Sequence, residues 1–309
     1  MRLAPAFFGL AVASVLASSA FAQITQKESL LQGIQSIQVQ VDRGGSVKGY
    51  YDFSDLKDAI EFRLQSQNIN TPETSEAVLR VHLLSIEIGG LAYHRIHTSF
   101  KRLGLVRDLS GPKVDLHPAM VTLWETATYG TVGKNNVSVA LTKTAHNQVQ
   151  EFLKLYNRVN SGYKGEIVDT SRVRKVTPGD ALIGLNQIFV VPILDDKLVK
   201  VFPITRMRSI VKSELEGAGI DTSITSLPRL FVRLNVLERD SDWAFSMMMS
   251  LDKMASVSHG EDVRIVPGKV WQRVAVGSVR KSEPSRFATE VREMIREFVK
   301  QHKEANKGR

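Results

Sequence analysis

The chain has 309 residues, with 41 lysines and arginines against 32 aspartates and glutamates, a net charge of +9. It contains no cysteine, which excludes a disulfide framework, a thiol nucleophile and a lipid attached through cysteine, so each domain must be held by its own apolar core. The basic residues are scattered rather than striped, which favours simple solubility; were the chain exported, as residues 1–22 suggest, the excess would suit anionic envelope surfaces rather than nucleic acid.

Residues 1–22 read as an export leader. Arg2 supplies the positive start, residues 4–17 are apolar or small, and Ala20-Phe21-Ala22 forms an A-x-A cleavage site before Gln23. The apolar run is shorter than the ~20 residues of a membrane-spanning helix, and no other stretch comes close. The expectation is a periplasmic or secreted protein with no transmembrane segment after leader removal. Loss of Arg2 would lower the net charge from +9 to +8.

Residues 23–35 read as a polar arm. Ile37, Val39 and Val41 then alternate with Gln38, Gln40 and Asp42, the period of a half-buried strand. Ser54 is placed to cap a helix carrying Leu56, Ala59, Ile60 and Leu64 on one face. Two strands follow, around residues 79–83 and 94–100. Residues 104–118, with two glycines and two prolines, read as a loop. A strand holding Trp124 and Gly130 comes next, then a helix whose inner positions include Leu141, Ala145, Val149, Phe152 and Tyr156.

The same order recurs. At an offset of 151, Ile37, Leu56, Leu64 and Leu79 match Ile188, Met207, Leu215 and Leu230, and Ser54 matches Thr205. Past the loop, at 147, Trp124 and Gly130 match Trp271 and Gly277. In the last helix, at 146, Phe152 matches Phe298. Offsets change only where loops are expected, and loops tolerate insertion. The organisation predicted is a leader (1–22), an arm (23–35), a first module (36–159), a linker (160–186), a second module (187–304) and a charged tail (305–309). The predicted fold is α+β: two tandem copies of a two-layer β-α-β-β-β-α module, each a four-stranded mixed sheet covered by two helices.

Residues Gln187-Ile188-Phe189-Val190-Val191-Pro192-Ile193 and the order of elements after them resemble the TolB amino-terminal domain family of periplasmic modules. The resemblance implies a β-α-β-β-β-α module that binds protein in the envelope. The first module's opening strand lacks the proline, and no propeller-like repeats follow.

No phosphate-loop, nucleophile-elbow, zincin or dinucleotide-binding motif occurs, and no cofactor is indicated. His94 and His97 fall on opposite faces of a strand, which argues against a shared metal. Glu238, Asp240 and Asp242 lack calcium-loop spacing and read as a solvated turn. Of Met247, Met248 and Met249, the outer two point to the core, leaving Met248 to be explained. The basic residues Arg172, Arg174 and Lys175 in the linker, and Arg206, Arg208 and Lys212 on a helix, are candidate contacts for an anionic ligand. The leading expectation is a non-enzymatic exported interaction or assembly protein whose partner is an envelope protein or an anionic envelope surface. The alternatives are a cleft binder of small or anionic ligands and a hydrolase with an inter-module site. A structural role is expected for Trp124, Gly130, Trp271, Gly277, Phe152 and Phe298. Truncating a buried indole to alanine removes the transfer energy and leaves a cavity, so Trp271→Ala should lower the urea-unfolding free energy by on the order of 3–5 kcal/mol.

Overall fold

The computed structural model describes residues 25–45, 53–107, 115–171 and 176–308. The leader and the linker residues Arg172, Arg174 and Lys175 lie outside them. The chain is α+β. Its elements are β1 (Gln38–Gly45), α1 (Phe53–Gln65), β2 (Ala77–Ile88), β3 (Leu91–Arg107), β4 (Leu116–Gly133), α2 (Val137–Asn160), β5 (Phe189–Leu194), α3 (Ile204–Glu216), β6 (Arg229–Glu238), β7 (Asp242–His259), β8 (Asp262–Arg280) and α4 (Arg286–Ala305). Among the described residues no helix is long and apolar enough to cross a membrane.

Where two separate four-stranded sheets were expected, the strands form a single eight-stranded sheet in the order β1-β2-β3-β4-β8-β7-β6-β5. Each outer pair, β1–β2 and β5–β6, is parallel because a helix crosses between its strands; the remaining pairs are antiparallel. The halves join where β4 meets β8 at Thr122 and Lys269, and where β3 pairs with β7 through Leu105–Ser256 and Val106–Ala255.

This joining depends on strands longer than the sequence suggested. The segment read as a loop from residue 104 continues β3 to Arg107 and resumes β4 at Leu116. Gly104 is a point of close approach. A Cβ there would stand 3.0 Å from the Ser256 carbonyl oxygen and 2.8 Å from Val121, so only glycine lets β7 pass. Both long hairpins also carry a bulge. Phe100 pairs Trp124 while Lys101 pairs Thr122, leaving Leu123 extra; Leu251 pairs Trp271 while Asp252 pairs Lys269, leaving Val270 extra. A bulge bends its strand and increases the twist, here one residue before each tryptophan.

The helices lie outside. Phe152 of α2 stacks on Phe100 at 5.2 Å and meets Trp124 at 5.4 Å. In the other half Phe298 of α4 meets the edge of Trp271 at 5.0 Å, and the indole Nε1 donates to Gln301 Oε1 at 3.0 Å. Phe152, Phe298 and Trp271 are buried, and Trp124 is partly buried against the core. The arm is less polar in its packing than in its composition. Its short 3₁₀ turn Glu28–Leu31 buries Leu30 and Leu31, and Arg102 donates to the Leu30 carbonyl at 3.2 Å. Thr205 does not cap α3, which starts one residue earlier behind Pro203.

Gly277 and Gly130 accommodate rings rather than bulges. A Cβ at Gly277 would lie 2.5 Å from Phe245 Cζ, and one at Gly130 would lie 2.8 Å from His94 Nε2. Gly277→Ala should therefore destabilise the protein by about 1–3 kcal/mol through overpacking. Gly133→Ala, with open space at its Cβ, should change the urea midpoint little; equal effects would refute the steric account.

Candidate functional site

The helices cover one face of each half-sheet, and the other two faces turn towards each other. In the first half this inner face is polar by register. One row runs Gln40–Arg80–Ser99–Glu125, the next Asp42–His82–His97–Ala127, the next Gly44–Leu84–Arg95–Tyr129. Such alternation normally faces water. Here the second half covers it with the rows Phe231–Ser250–Gln272, Arg233–Met248–Val274 and Asn235–Ser246–Val276. Arg95, His97 and Ser99 are buried as a result.

Several contacts cross the seam. Lys269 donates to Glu125 Oε2 at 2.6 Å, Asn235 to the Tyr129 hydroxyl at 3.3 Å, and Arg95 Nη2 to Met248 Sδ at 3.4 Å. Gln272 Nε2 reaches the same sulfur at 3.2 Å. Met248 is thus a soft acceptor inside the seam. Arg239 donates to the Ile88 carbonyl at 2.8 Å, and Arg102 to the Ser258 carbonyl at 2.8 Å.

Cations outweigh carboxylates here. Burial would raise Glu125, but the hydrogen bond from His97 and the charge of Lys269 win and hold it at about 2. Burial pushes His97 down to about 4 despite its contact with Glu125, and burial with nearby Arg80 does the same to His82. His97 is therefore neutral and serves the ionised Glu125 as its Nε2–H tautomer, at 2.9 Å. Lys101 is pushed down to about 8, first by burial and then by Arg80 and Lys269. Asp42 is taken by Arg80. Among the described residues Lys101 has no ion-pair or hydrogen-bond partner.

Around these groups lies a groove of about 340 Å³, lined by Gln38, Gln40, Arg80, Lys101, Trp271 and Gln272 among others. A recess of about 60 Å³ shares Arg80, Lys101 and Gln272 with it and adds His82, His97 and Ser99. Elsewhere in the seam a pocket of about 240 Å³ holds Arg95, Tyr129 and Asn235.

The basic residues singled out in the sequence are not the ones that gather here. Arg172, Arg174 and Lys175 lie outside the described residues, although Val176 and Thr177 just after them line the groove. Arg206, Arg208 and Lys212 belong to α3, whose buried side is Met207, Ile210, Val211 and Leu215, and none of the three lines the groove, recess or pocket. His94 packs under Gly130, on the face opposite His97. Among the described residues no three His, Asp or Glu side chains converge on a metal position. Glu238 pairs with Lys281 at 2.7 Å. Arg80, Arg95 and Lys101 were missed because alternate polar residues in a strand read as a solvated face.

Fold and site together define an α+β protein with a cation-rich seam between two half-sheets. No family model matches the chain, and no curated protein matches it. Among solved structures it is similar to a minor lipoprotein from Acinetobacter baumannii, at 10% identity over 38% of this chain and 91% of that one, with a TM-score of 0.20. A likeness at that level carries no weight for fold or role.

The two histidines give the seam a sign in pH. Their ordinary value is 6.5 and their folded value about 4, so between those values the unfolded chain binds more protons. Their contribution to stability is whole above pH 6.5 and drains away as the pH falls to about 4. Glu125 adds a loss of the same sign from 4.5 down to about 2. Urea midpoints should fall between neutral pH and pH 4, and the fall should flatten in a His82→Gln/His97→Gln variant. An unchanged slope would place the titration elsewhere.

Proposed function

We propose that this chain is an exported, non-enzymatic binding protein of the bacterial envelope, and that its seam groove receives an anionic ligand. The reading joins two expectations, an interaction protein and a cleft binder. The observation that carries it is Lys101: a lysine lowered to about 8 by burial and by two neighbouring cations, lining an open groove with Arg80 and lacking a carboxylate of its own. An arriving anion would relieve that repulsion, which makes Lys101 a better binding group than an exposed lysine.

Export is supported by the leader-like residues 1–22. Kinship with TolB amino-terminal modules, as part of this proposal, is supported by the order of elements alone. We also read the halves as copies of one ancestral module. The reading is supported by the shared β-α-β-β-β-α order, by helix starts at Phe53 and Ile204, 151 apart, and by bulges at Leu123 and Val270 directly before the two tryptophans.

Trp271 lines the groove and supplies a reporter. Titrating glycerol phosphate, a headgroup mimic, should change tryptophan fluorescence saturably at neutral pH. Binding should weaken at about pH 9.5, where a lysine lowered to about 8 has lost its proton. Lys101→Gln should abolish it while leaving the urea midpoint unchanged or raised. Undiminished binding by Lys101→Gln would refute the assignment.

A further inference from the structure

The pocket around Arg95 shares no lining residue with the Lys101 groove or its recess. It has a different chemistry. Arg95 is 1% exposed. Its Nε donates to the Tyr129 hydroxyl at 3.3 Å, its Nη2 to a thioether, and its guanidinium lies 5.6 Å from the Tyr129 ring centroid. Among the described residues no carboxylate pairs with it, and its Nη1 has no hydrogen-bond partner. A buried cation held by a phenol, a sulfur and a ring is incompletely compensated, because none of these carries opposite charge.

A second polar atom is in the same condition. Ser246 Oγ, buried on β7 beside Asn235, lines the pocket and has no partner among the described residues. The Tyr129 hydroxyl accepts from both Arg95 and Asn235, so its own proton remains to be donated. These donors lie among apolar walls that include Ile86, Val236, Ala244 and Val276; Asp195 also lines the pocket, its carboxylate already accepting from the backbone N–H groups of Lys197 and Val236.

The geometry points to a binding site for a small monocarboxylate with an apolar body. The carboxylate is taken by Arg95, with Tyr129 and Ser246 donating to it, and the body packs on Ile86, Ala244 and Val276. One guanidinium neutralises one negative charge, and its planar fork matches a carboxylate. A phosphate dianion would be left half-compensated among apolar walls, which separates this pocket from the groove. The pocket volume, about 240 Å³, suits a ligand of benzoate size rather than a long acyl chain. The inference does not rest on the groove reading.

The test uses the purified protein, with 4-fluorobenzoate and the neutral 4-fluorobenzamide as ¹⁹F NMR probes. Saturable binding of the carboxylate, with the amide weaker by about tenfold or more, is expected from the loss of a charge-assisted pair. Arg95→Met should abolish carboxylate binding. It should also leave the urea midpoint unchanged or raised, since replacing an uncompensated buried ion by an apolar group of similar length relieves desolvation. Ala244→Leu, which fills the pocket without touching Arg95, should block binding as well and covers the case in which Arg95→Met does not fold. Lys101→Gln should leave benzoate binding intact, so failure here and failure of the groove are told apart. The inference is overturned if the wild type shows no saturable carboxylate binding, if the amide binds equally, or if either pocket variant still binds.

Discussion

One extra residue in each of β4 and β8 governs the shape of the whole molecule. At Leu123 and Val270 the ladder slips by a residue, and a slip of that kind bends a strand and increases its twist. Straight continuations would leave two independent sandwiches, each with its polar face in water. Bent, β3 can reach β7 and β4 can reach β8, and the two inner faces close on one another. The bulges adjoin Trp124 and Trp271, whose rings pack on Phe152 and Phe298. Core and crossover are therefore set by neighbouring residues, and each holds the other in place.

Closing those faces creates the electrostatic problem that the seam embodies. Strand residues that would ordinarily be solvated, His82, Arg95, His97 and Lys101, lie between the two half-sheets, while Arg80 and its partner Asp42 stay about 40% exposed. Moving an ion out of water carries an effective penalty of about several kcal/mol even after relaxation. The protein meets part of it: Glu125 takes Lys269 and His97, and Asp42 takes Arg80. The histidines avoid the penalty by staying neutral. Arg95 and Lys101 receive no such compensation, and each lines a cavity large enough to admit an anion.

Much of the local architecture was legible. The alternation of Ile37, Val39 and Val41 and the helical spacing of Leu141, Val149 and Phe152 each report a face buried against the residue's own half, and such burial writes a period into the sequence. The single sheet left no such mark. It depends on pairs about 150 residues apart, and no local pattern encodes a partner at that distance. Gly104 even argued the wrong way, because a glycine needed for close approach looks the same as one needed for a turn. The site was hidden for a related reason. Arg80–His82 and Arg95–His97–Ser99–Lys101 have the spacing of an exposed strand face, and a sequence does not say that the other half of the sheet will cover it. The faint trace is on the covering side, where Ala244, Met248, Val274 and Val276 make that face less polar than a solvated one.

Positions related by the 151-residue offset show how a near-symmetric frame can hold an asymmetric seam. Towards the helices the pairs stay apolar: Ile96 with Met247, Phe100 with Leu251. Towards the seam they diverge: Arg80 with Phe231, Arg95 with Ser246, His97 with Met248, Lys101 with Asp252. The first half carries the cations, and the second faces Arg95 with a hydroxyl, an amide and a thioether, groups that orient a guanidinium without neutralising it. Asp195 of the second half lines the same pocket, but its carboxylate accepts from the backbone N–H groups of Lys197 and Val236 rather than pairing with Arg95, so the guanidinium is left without a counter-ion.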